Sequence, residues 1–429
     1  MNPAPETLAH WLAHIERVHP ASTALGLDRV GAVRARLTLQ PSFPVITVGG
    51  TNGKGSTCAM LEAILSQAGY RVGCYTSPHL LRYNERVRIG RVEASDAALA
   101  RAFAAVERAR GDTELTYFEF GTLSAVLLFV EADVDVAVLE VGLGGRLDAV
   151  NAFDADCAVV TAIDIDHVDY LGADREAIGR EKAGILRAGR PAVCSDPDPP
   201  ASLIRHAADI GAGLLRIGHD FGARDQGKHW QYWGPRGVRN ALPHPVLRGA
   251  CQLENASAAI TAVECMRVRL PVAVNDIRQG LLQAGISGRF QVIPGRPSVV
   301  LDVAHNPHAA RALAANLEAM KCAGRTYCVF SMLGDKDISG VAAAVAPEIS
   351  RWFIAGLDAP RGADVADIER ALAGAGIAAC TRCASVADAY AQACDVAVEN
   401  DRILVFGSFY TVALVMPLLH RRRMARVPG

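Results

Sequence analysis

"VITVGGTNGKGST", residues 45–57, is the stretch on which the reading of the fold turns. A strand-like apolar run, Val45 to Val48, passes directly into a glycine-rich turn carrying Lys54. The common phosphate-binding loop is G-x-x-x-x-G-K-[ST], with a hydroxyl straight after the lysine. Here Gly55 follows Lys54, and the hydroxyls come at Ser56 and Thr57. A strand before the loop and a helical pattern after it are what a phosphate cradle needs: backbone N–H groups and a helix N-terminus hold polyphosphate, and the lysine neutralises charge. Gly53, Lys54, Gly55 and Ser56 are therefore assigned to nucleotide phosphates, with Ser56 within reach of a magnesium ion. A glycine turn with an exposed lysine is the competing reading, and it leaves both flanks unexplained.

The chain has 429 residues, more than one hydrophobic core usually supports, so two domains are expected. Lys and Arg total 44 against 45 Asp and Glu, a formal net charge of -1. No global basic field exists to attract nucleic acid or an anionic membrane, so a polyanionic ligand must be met by a local site. The start, "MNPAPETLAHWLAHIERVHP", lacks the apolar core of a signal peptide, and "LSAVLLFVEAD" (123–133) is too short to span a bilayer. Eleven cysteines at irregular spacing suggest reduced thiols in a cytoplasmic protein. Cys380 and Cys383 form a C-x-x-C with neither a helix opening directly on it nor a second ligand pair, and are read as ordinary thiols.

Apolar runs alternate with helical patterns through the first two thirds of the chain, the signature of a mainly parallel sheet covered by helices. "PVITVG", "RVGCYTS", "VDVAVLEVG", "DCAVVTAI" and "RPAVCSD" are expected strands. Helices are expected after Lys54, from near Ser95, from about Glu119 to Glu131, and over "DREAIGREKAGILRAG" (174–189) and "QLENASAAITAVECM" (252–266). Residues 211–249 have poor periodicity and read as short strands and loops inserted in the first domain. Glycines, prolines and charges in "GISGRFQVIPGRPS" (285–298) mark a boundary. Beyond it "SVVLDVAHN", "RTYCVFSM", "RWFIAGL" and "DRILVFGSF" restart the alternation. The expected class is α/β: a P-loop domain with a mainly parallel sheet over 1–287, then a smaller Rossmann-like domain over 288–429, with a hinge about 285–297.

A triphosphate site needs magnesium ligands, usually at the end of a neighbouring strand. Glu140 closes "VDVAVLE", and "VGLGGRLDAVN" adds Asp148 and Asn151 as polar candidates. "GLGGRL" is no dinucleotide fingerprint, because its sixth position is Leu147 rather than a small residue. "AIDIDHVDYLG" packs Asp164, Asp166, His167 and Asp169 together, and either one of them serves a metal or phosphate, or the segment is a solvated loop with capping aspartates. Lys182 lies on a helical pattern with Glu181 beside it, which by itself marks only a solvent-facing charge. In the second domain a strand ends on Asp302 and His305, with no glycine turn to hug a pyrophosphate.

Together "LGLDRV", "GTNGKGS", "YTSPHLLRYNERVR", "LTYFEFGTLSA", "LEVGLGGRLDAVN", "DHVDYLG", "GREKAGILR", "GRFQVI", "DVAHNPHAA", "LGDKDI" and "GSFYTVA" resemble, in order, the signatures of the bifunctional dihydrofolate synthase and folylpolyglutamate synthase family of the Mur ligase superfamily. That group writes its phosphate loop with the hydroxyl shifted as in "GKGS". The resemblance implies that Gly53 to Ser56 hold ATP phosphates, and that Ser77, Glu140 and His167 are magnesium ligands, His167 also acting in catalysis. It implies that Lys182 is carried as a carbamate near magnesium, and that Lys54 and Lys182 are catalytic. Asn255, Arg289, Asp302 and the neighbouring His305 fall to the nucleotide. Leu25, Gly26 and Leu27, Thr116, Tyr117, Phe118 and Glu119, and Leu147, Asp148 and Ala149 fall to the pterin side.

The implied reaction is ATP- and magnesium-dependent addition of L-glutamate to 7,8-dihydropteroate and to reduced folates through an acyl phosphate, by a monomer whose hinge closes to exclude water. Three rivals remain: a P-loop switch or kinase, a nucleotide binder without catalysis, and another Mur-type ligase acting on peptidoglycan precursors. "TSPHL" and "YFEFGT" speak against the last.

Overall fold

A computed structural model describes residues 5–19, 24–249 and 251–425, the last six of them by backbone alone. The chain divides into two compact units, Met1–Val246 with Gln252–Gly285, and Leu247–Cys251 with Ile286–Gly429.

The first unit is built on an eight-stranded sheet. Its strands in chain order are β1 (Val45–Gly49), β2 (Val72–Tyr75), β3 (Val87–Ile89), β4 (Val92–Glu93), β5 (Val136–Glu140), β6 (Cys157–Val160), β7 (Pro191–Cys194) and β8 (Gly213–Arg216). Their spatial order is β4-β3-β2-β5-β1-β6-β7-β8. β2, β5, β1, β6, β7 and β8 run parallel, and the β2–β3 and β3–β4 pairings at one edge are antiparallel. β1 and β5 are buried at every position, as expected where helices cover both faces of a parallel sheet. From β1 the chain crosses β5 to reach β2, and from β5 it crosses β1 in the opposite direction to reach β6. The carboxyl ends of β5, β1 and β6 therefore open on one crevice, the place where such sheets bind ligands.

Residues 211–249 hold more order than their composition suggests. β8 extends the main sheet, and β9 (Gly222–Asp225), β10 (Trp230–Gly234) and β11 (Gly237–Leu242) form a separate antiparallel sheet. Tyr232 of β10 is buried and its hydroxyl pairs with Thr261 at 3.0 Å, fastening this sheet to the helix Cys251–Cys265.

The second unit carries β12 (Gln291–Ile293), β13 (Ser298–Asp302), β14 (Thr326–Phe330), β15 (Arg351–Ile354), β16 (Cys380–Arg382) and β17 (Arg402–Phe406), in the order β12-β13-β17-β14-β15-β16. β12 alone is antiparallel. The stretch 285–298 is thus no bare linker, since it contributes an edge strand. Cys380 sits within β16, a short edge strand.

The helix expected over 174–189 is shorter, Arg175–Ala183. Glycine follows at Gly184, whose carbonyl accepts from Asn151 Nδ2 at 3.0 Å and Arg187 Nη1 at 3.2 Å, so side chains take up the bond that another turn would have used. The helix expected from Glu119 begins at Tyr117, because Thr116 caps it and Glu119 closes a capping box.

Inside the first unit, Arg88 of β3 clamps Glu62 of the helix Lys54–Gln67 through Nε and Nη2 at 2.9–3.1 Å and donates to Thr76 Oγ1 at 3.2 Å. Glu62 is buried, so removing its partner leaves an uncompensated charge. Arg88→Ala is expected to destabilise the first unit by about 3 kcal/mol or more. Urea unfolding checks this, and Arg88→Met with Glu62→Gln should recover much of the loss.

Candidate active site

The turn after β1 lies against the end of β6. Thr161 donates to Gly49 O from its backbone N at 2.8 Å and from Oγ1 at 3.1 Å. Thr51 N donates to Ala162 O at 2.7 Å, and the Thr51 hydroxyl both donates to Asp164 O at 3.0 Å and accepts from Asp164 N at 3.1 Å. Gly50, at φ +141, comes so close that a Cβ there would stand 1.8 Å from Thr161 Oγ1. Gly53 takes φ 94 as the N-cap of the helix Lys54–Gln67. This left-handed turn at a helix start aims N–H groups at one point, a nest for an anion. Lys54 Nζ folds over the loop, donating to Gly50 O and Thr51 O at 3.1 Å each.

The other expected residues of this unit gather around the cradle. Glu140, buried at the end of β5, accepts from Ser77 N at 3.0 Å, which joins two of the three proposed metal ligands. His167 lies beyond β6 in the left-handed region at φ 52, its N donating to Asp166 Oδ1 at 2.9 Å. Asn255 stands beside Gly53, where a Cβ would meet its Oδ1 at 2.5 Å.

Lys182 is 3% exposed, against the solvent-facing place that its helical context suggests. The loop after β5 docks on its helix: Arg146 N donates to Glu181 O at 2.8 Å, and a Cβ on Gly145 would stand 3.0 Å from Lys182 Cα. Burial, then the charge of Lys54, push the Lys182 ammonium down to about 7, while Asp166 and Asp148 pull the other way. Asp148 is pushed up to about 7 by burial, against the pull of three backbone N–H groups and Lys54. Those bonds, from Gly142 and Leu143 to Oδ2 and from Val150 to Oδ1 at 2.9–3.0 Å, shape the loop.

The pterin-side candidates also converge. Gly26 N donates to Leu147 O at 3.2 Å, bringing the 25–27 segment to the 147–149 segment. Phe118 packs on Gly142, and Glu119 is buried in an ion pair with Arg29 at 3.0 Å. Thr116 N donates to Glu119 Oε2 at 2.7 Å. Arg29, His79, Tyr83 and Arg86 were not assigned roles from sequence, although three of them lie in the quoted "YTSPHLLRYNERVR"; nothing in residue type or period marks them.

In the second unit Arg289, Asp302 and His305 form their own group. Burial raises the Asp302 carboxyl and Arg289 opposes it. Both carboxylate oxygens accept backbone N–H groups, from Phe290 and from Ala304, at 2.7 Å. Phe409 carries the Arg289 guanidinium over its ring at 5.2 Å and meets the His305 ring at 6.3 Å.

A phosphate nest at the switch point of a parallel sheet, with a buried carboxylate across from it and a second α/β unit after it, defines a nucleotide-dependent ligase of the Mur type. Residues 48–263 match the Mur ligase middle domain, and 288–409 match the Mur ligase glutamate ligase domain. The chain is 45% identical over 421 residues to the dihydrofolate synthase/folylpolyglutamate synthase of Escherichia coli (strain K12), covering 98% of this chain and 97% of that protein. The structure of E. coli FolC in complex with DHPP and ADP aligns with a TM-score of 0.93 at 46% identity, covering 99% of this chain and 100% of that one. A bifunctional folylpolyglutamate synthase/dihydrofolate synthase with Mn, AMPPNP and L-glutamate bound aligns at 0.91 and 46%, over 98% and 100%. The chain belongs to the dihydrofolate synthase/folylpolyglutamate synthase family of Mur ligases.

Gly50→Ala is expected to lower ATP affinity about tenfold or more, because it forces both a left-handed alanine and a clash with Thr161. Calorimetric titration with a non-hydrolysable ATP analogue checks it. Gly69→Ala, at φ +91 but facing open space, separates the clash from backbone strain.

Proposed function

We propose that this chain joins L-glutamate to 7,8-dihydropteroate and to reduced folates, with ATP as the second substrate. The observation that carries the reading is the cradle itself: a nest beside Lys54, with Glu140 bonded to the Ser77 loop and a buried, weakly basic Lys182 in reach of the same charges. Leu25, Gly26, Leu27, Thr116 to Glu119 and Leu147 to Ala149 are proposed to hold the pterin. Asn255, Arg289, Asp302 and His305 are proposed to serve the nucleotide, with a hinge about 285–297. Eleven free cysteines support a reducing cytoplasm, where we take the protein to act as a monomer. No helix among the described residues is long and apolar enough to cross a membrane.

A divalent ion is expected beside the nucleotide, and we take it to be magnesium. Among the described residues no three His, Cys, Asp or Glu side chains cluster as a cage, whereas Glu140, Ser77 and His167 supply a carboxylate, a hydroxyl and an imidazole. So sparse a set suits an ion that keeps waters and takes oxygens from substrate phosphates. When bound, the ion neutralises charge on the transferred phosphoryl group.

A substrate carboxylate oxygen attacks the γ-phosphorus, and the bond to the β-bridging oxygen breaks to release ADP. The glutamate amine then attacks the acyl carbon, the acyl–oxygen bond breaks, phosphate leaves and the amine sheds a proton. Lys54 follows the charge on the phosphoryl oxygens, and the nest holds the nucleotide in line. Lys182 is proposed to react as its neutral amine with carbon dioxide, forming an N–C bond and losing a proton. The resulting carbamate is an anion where an ammonium would repel Lys54.

Phosphate release by the purified protein with ATP and magnesium tests the reading. Release is expected with dihydropteroate and with a reduced folate monoglutamate, in each case only when L-glutamate is present, and Glu140→Gln should lower it about a hundredfold or more. Glutamate-independent release would favour a kinase or switch, and no release with either acceptor would sink the folate reading.

Lys182→Ala is expected to lose most turnover and to regain part of it with added formate or acetate, which can replace the lost anion. A lysine acting only through packing would show no such rescue.

A further inference from the structure

Arg86 closes the short turn Tyr83–Arg86, between the Ser77 loop and the helix Tyr117–Glu131. Its carbonyl accepts from Thr76 N at 2.9 Å, next to Ser77. Its guanidinium is stacked over two rings, 5.3 Å from the centre of Tyr83 and 5.4 Å from that of Tyr117. Nε donates to His79 Nδ1 at 2.8 Å. The His79 ring thus fixes the direction of the guanidinium from one side while the two tyrosine rings fix its plane. Neighbouring arginines have carboxylates: Arg82 pairs with Asp96, Arg88 with Glu62 and Arg29 with Glu119. Among the described residues Arg86 has no carboxylate partner and instead rests on two tyrosine rings and the His79 nitrogen, which orient a guanidinium without neutralising it.

We propose that Arg86 binds the non-reacting carboxylate of the glutamyl group already attached to a reduced folate, and so separates the chain-extension substrate from dihydropteroate. This rests on the folate reading above. Tyr117 belongs to the pterin-side segment and Thr76 adjoins Ser77, so an acceptor stretched from pterin to phosphate passes this guanidinium. Dihydropteroate has one carboxylate, and it is the one that reacts. A folate monoglutamate has two, and the second stays ionised throughout and loses its water on binding. A permanent, pre-oriented cation offsets that desolvation, and its fork matches a carboxylate.

The test compares kcat/KM for a reduced folate monoglutamate with kcat/KM for dihydropteroate, in wild type and in Arg86→Gln, by glutamate-dependent phosphate release. The ratio is expected to fall about tenfold or more in the variant, with Arg86→Lys between the two, since lysine keeps the charge and loses the fork. An unchanged ratio, whether both activities fall together or neither does, overturns the proposal. Should Arg86→Gln not fold, equilibrium binding to wild type decides. A folate analogue with its non-reacting carboxylate as an amide is expected to bind about tenfold or more weakly than the parent, and equal binding overturns the assignment. If wild type turns over neither acceptor, the ligase reading fails, while the binding comparison still decides the role of Arg86.

Discussion

The closeness with which the turn after β1 approaches the end of β6 sets everything else in the first unit. Only glycine fits at residue 50, and the Thr161 and Thr51 hydroxyls stitch the two segments together. That stitching does two jobs. It holds the N–H groups of the nest without a ligand present, and it sets the backbone of Asp164 from which Asp166 and His167 follow. On the other side of β1, strand order alone delivers Glu140 to the crevice. Three segments far apart in sequence thus share one register, and a phosphate meets a site whose ordering entropy is already spent on folding.

Charge in that crevice is organised by scarcity of water. Lys54, Lys182, Asp148 and Asp166 influence one another, and Lys182 and Asp148 are almost fully buried. Lowering Lys182 from 10.5 to about 7 corresponds to roughly 5 kcal/mol against its charged form. Two ammonium groups cannot both stay charged there cheaply. Asp148 does not resolve the conflict, since its oxygens are committed to the loop after β5. An uncharged Lys182 amine beside a cationic Lys54 is the arrangement that this burial favours.

The residues most legible in the sequence were those whose place in the fold depends on local pattern. The phosphate loop declared itself by its flanks, and Glu140 by closing an apolar run. Buried parallel strands read as continuous apolar segments, so β1, β5 and β6 were found where expected. Lys182 was illegible by pattern, because its burial comes from a loop some thirty-five residues away docking on its helix, as the Arg146–Glu181 bond shows. β8 lies where short strands were expected but without bounds, because an edge strand carries a weak apolar signal, and β12 escaped notice because glycine and proline surround it. Arg86 was hidden for a different reason: an arginine without a carboxylate is conspicuous only once its neighbours are known.

Lys54 shows how the cradle is suited to an anion. Its ammonium bonds to two carbonyls of its own loop, both neutral acceptors. Ionised phosphate oxygens make hydrogen bonds about twice as strong as neutral ones, so exchange of either carbonyl for phosphate at this nitrogen gives the stronger bond. The exchange also releases the Gly50 and Thr51 carbonyls while leaving the backbone bonds of Thr51 and Thr161 untouched. The exchange thus involves one side chain, while the backbone of the loop is held by the same Gly50–Thr161 approach that built it.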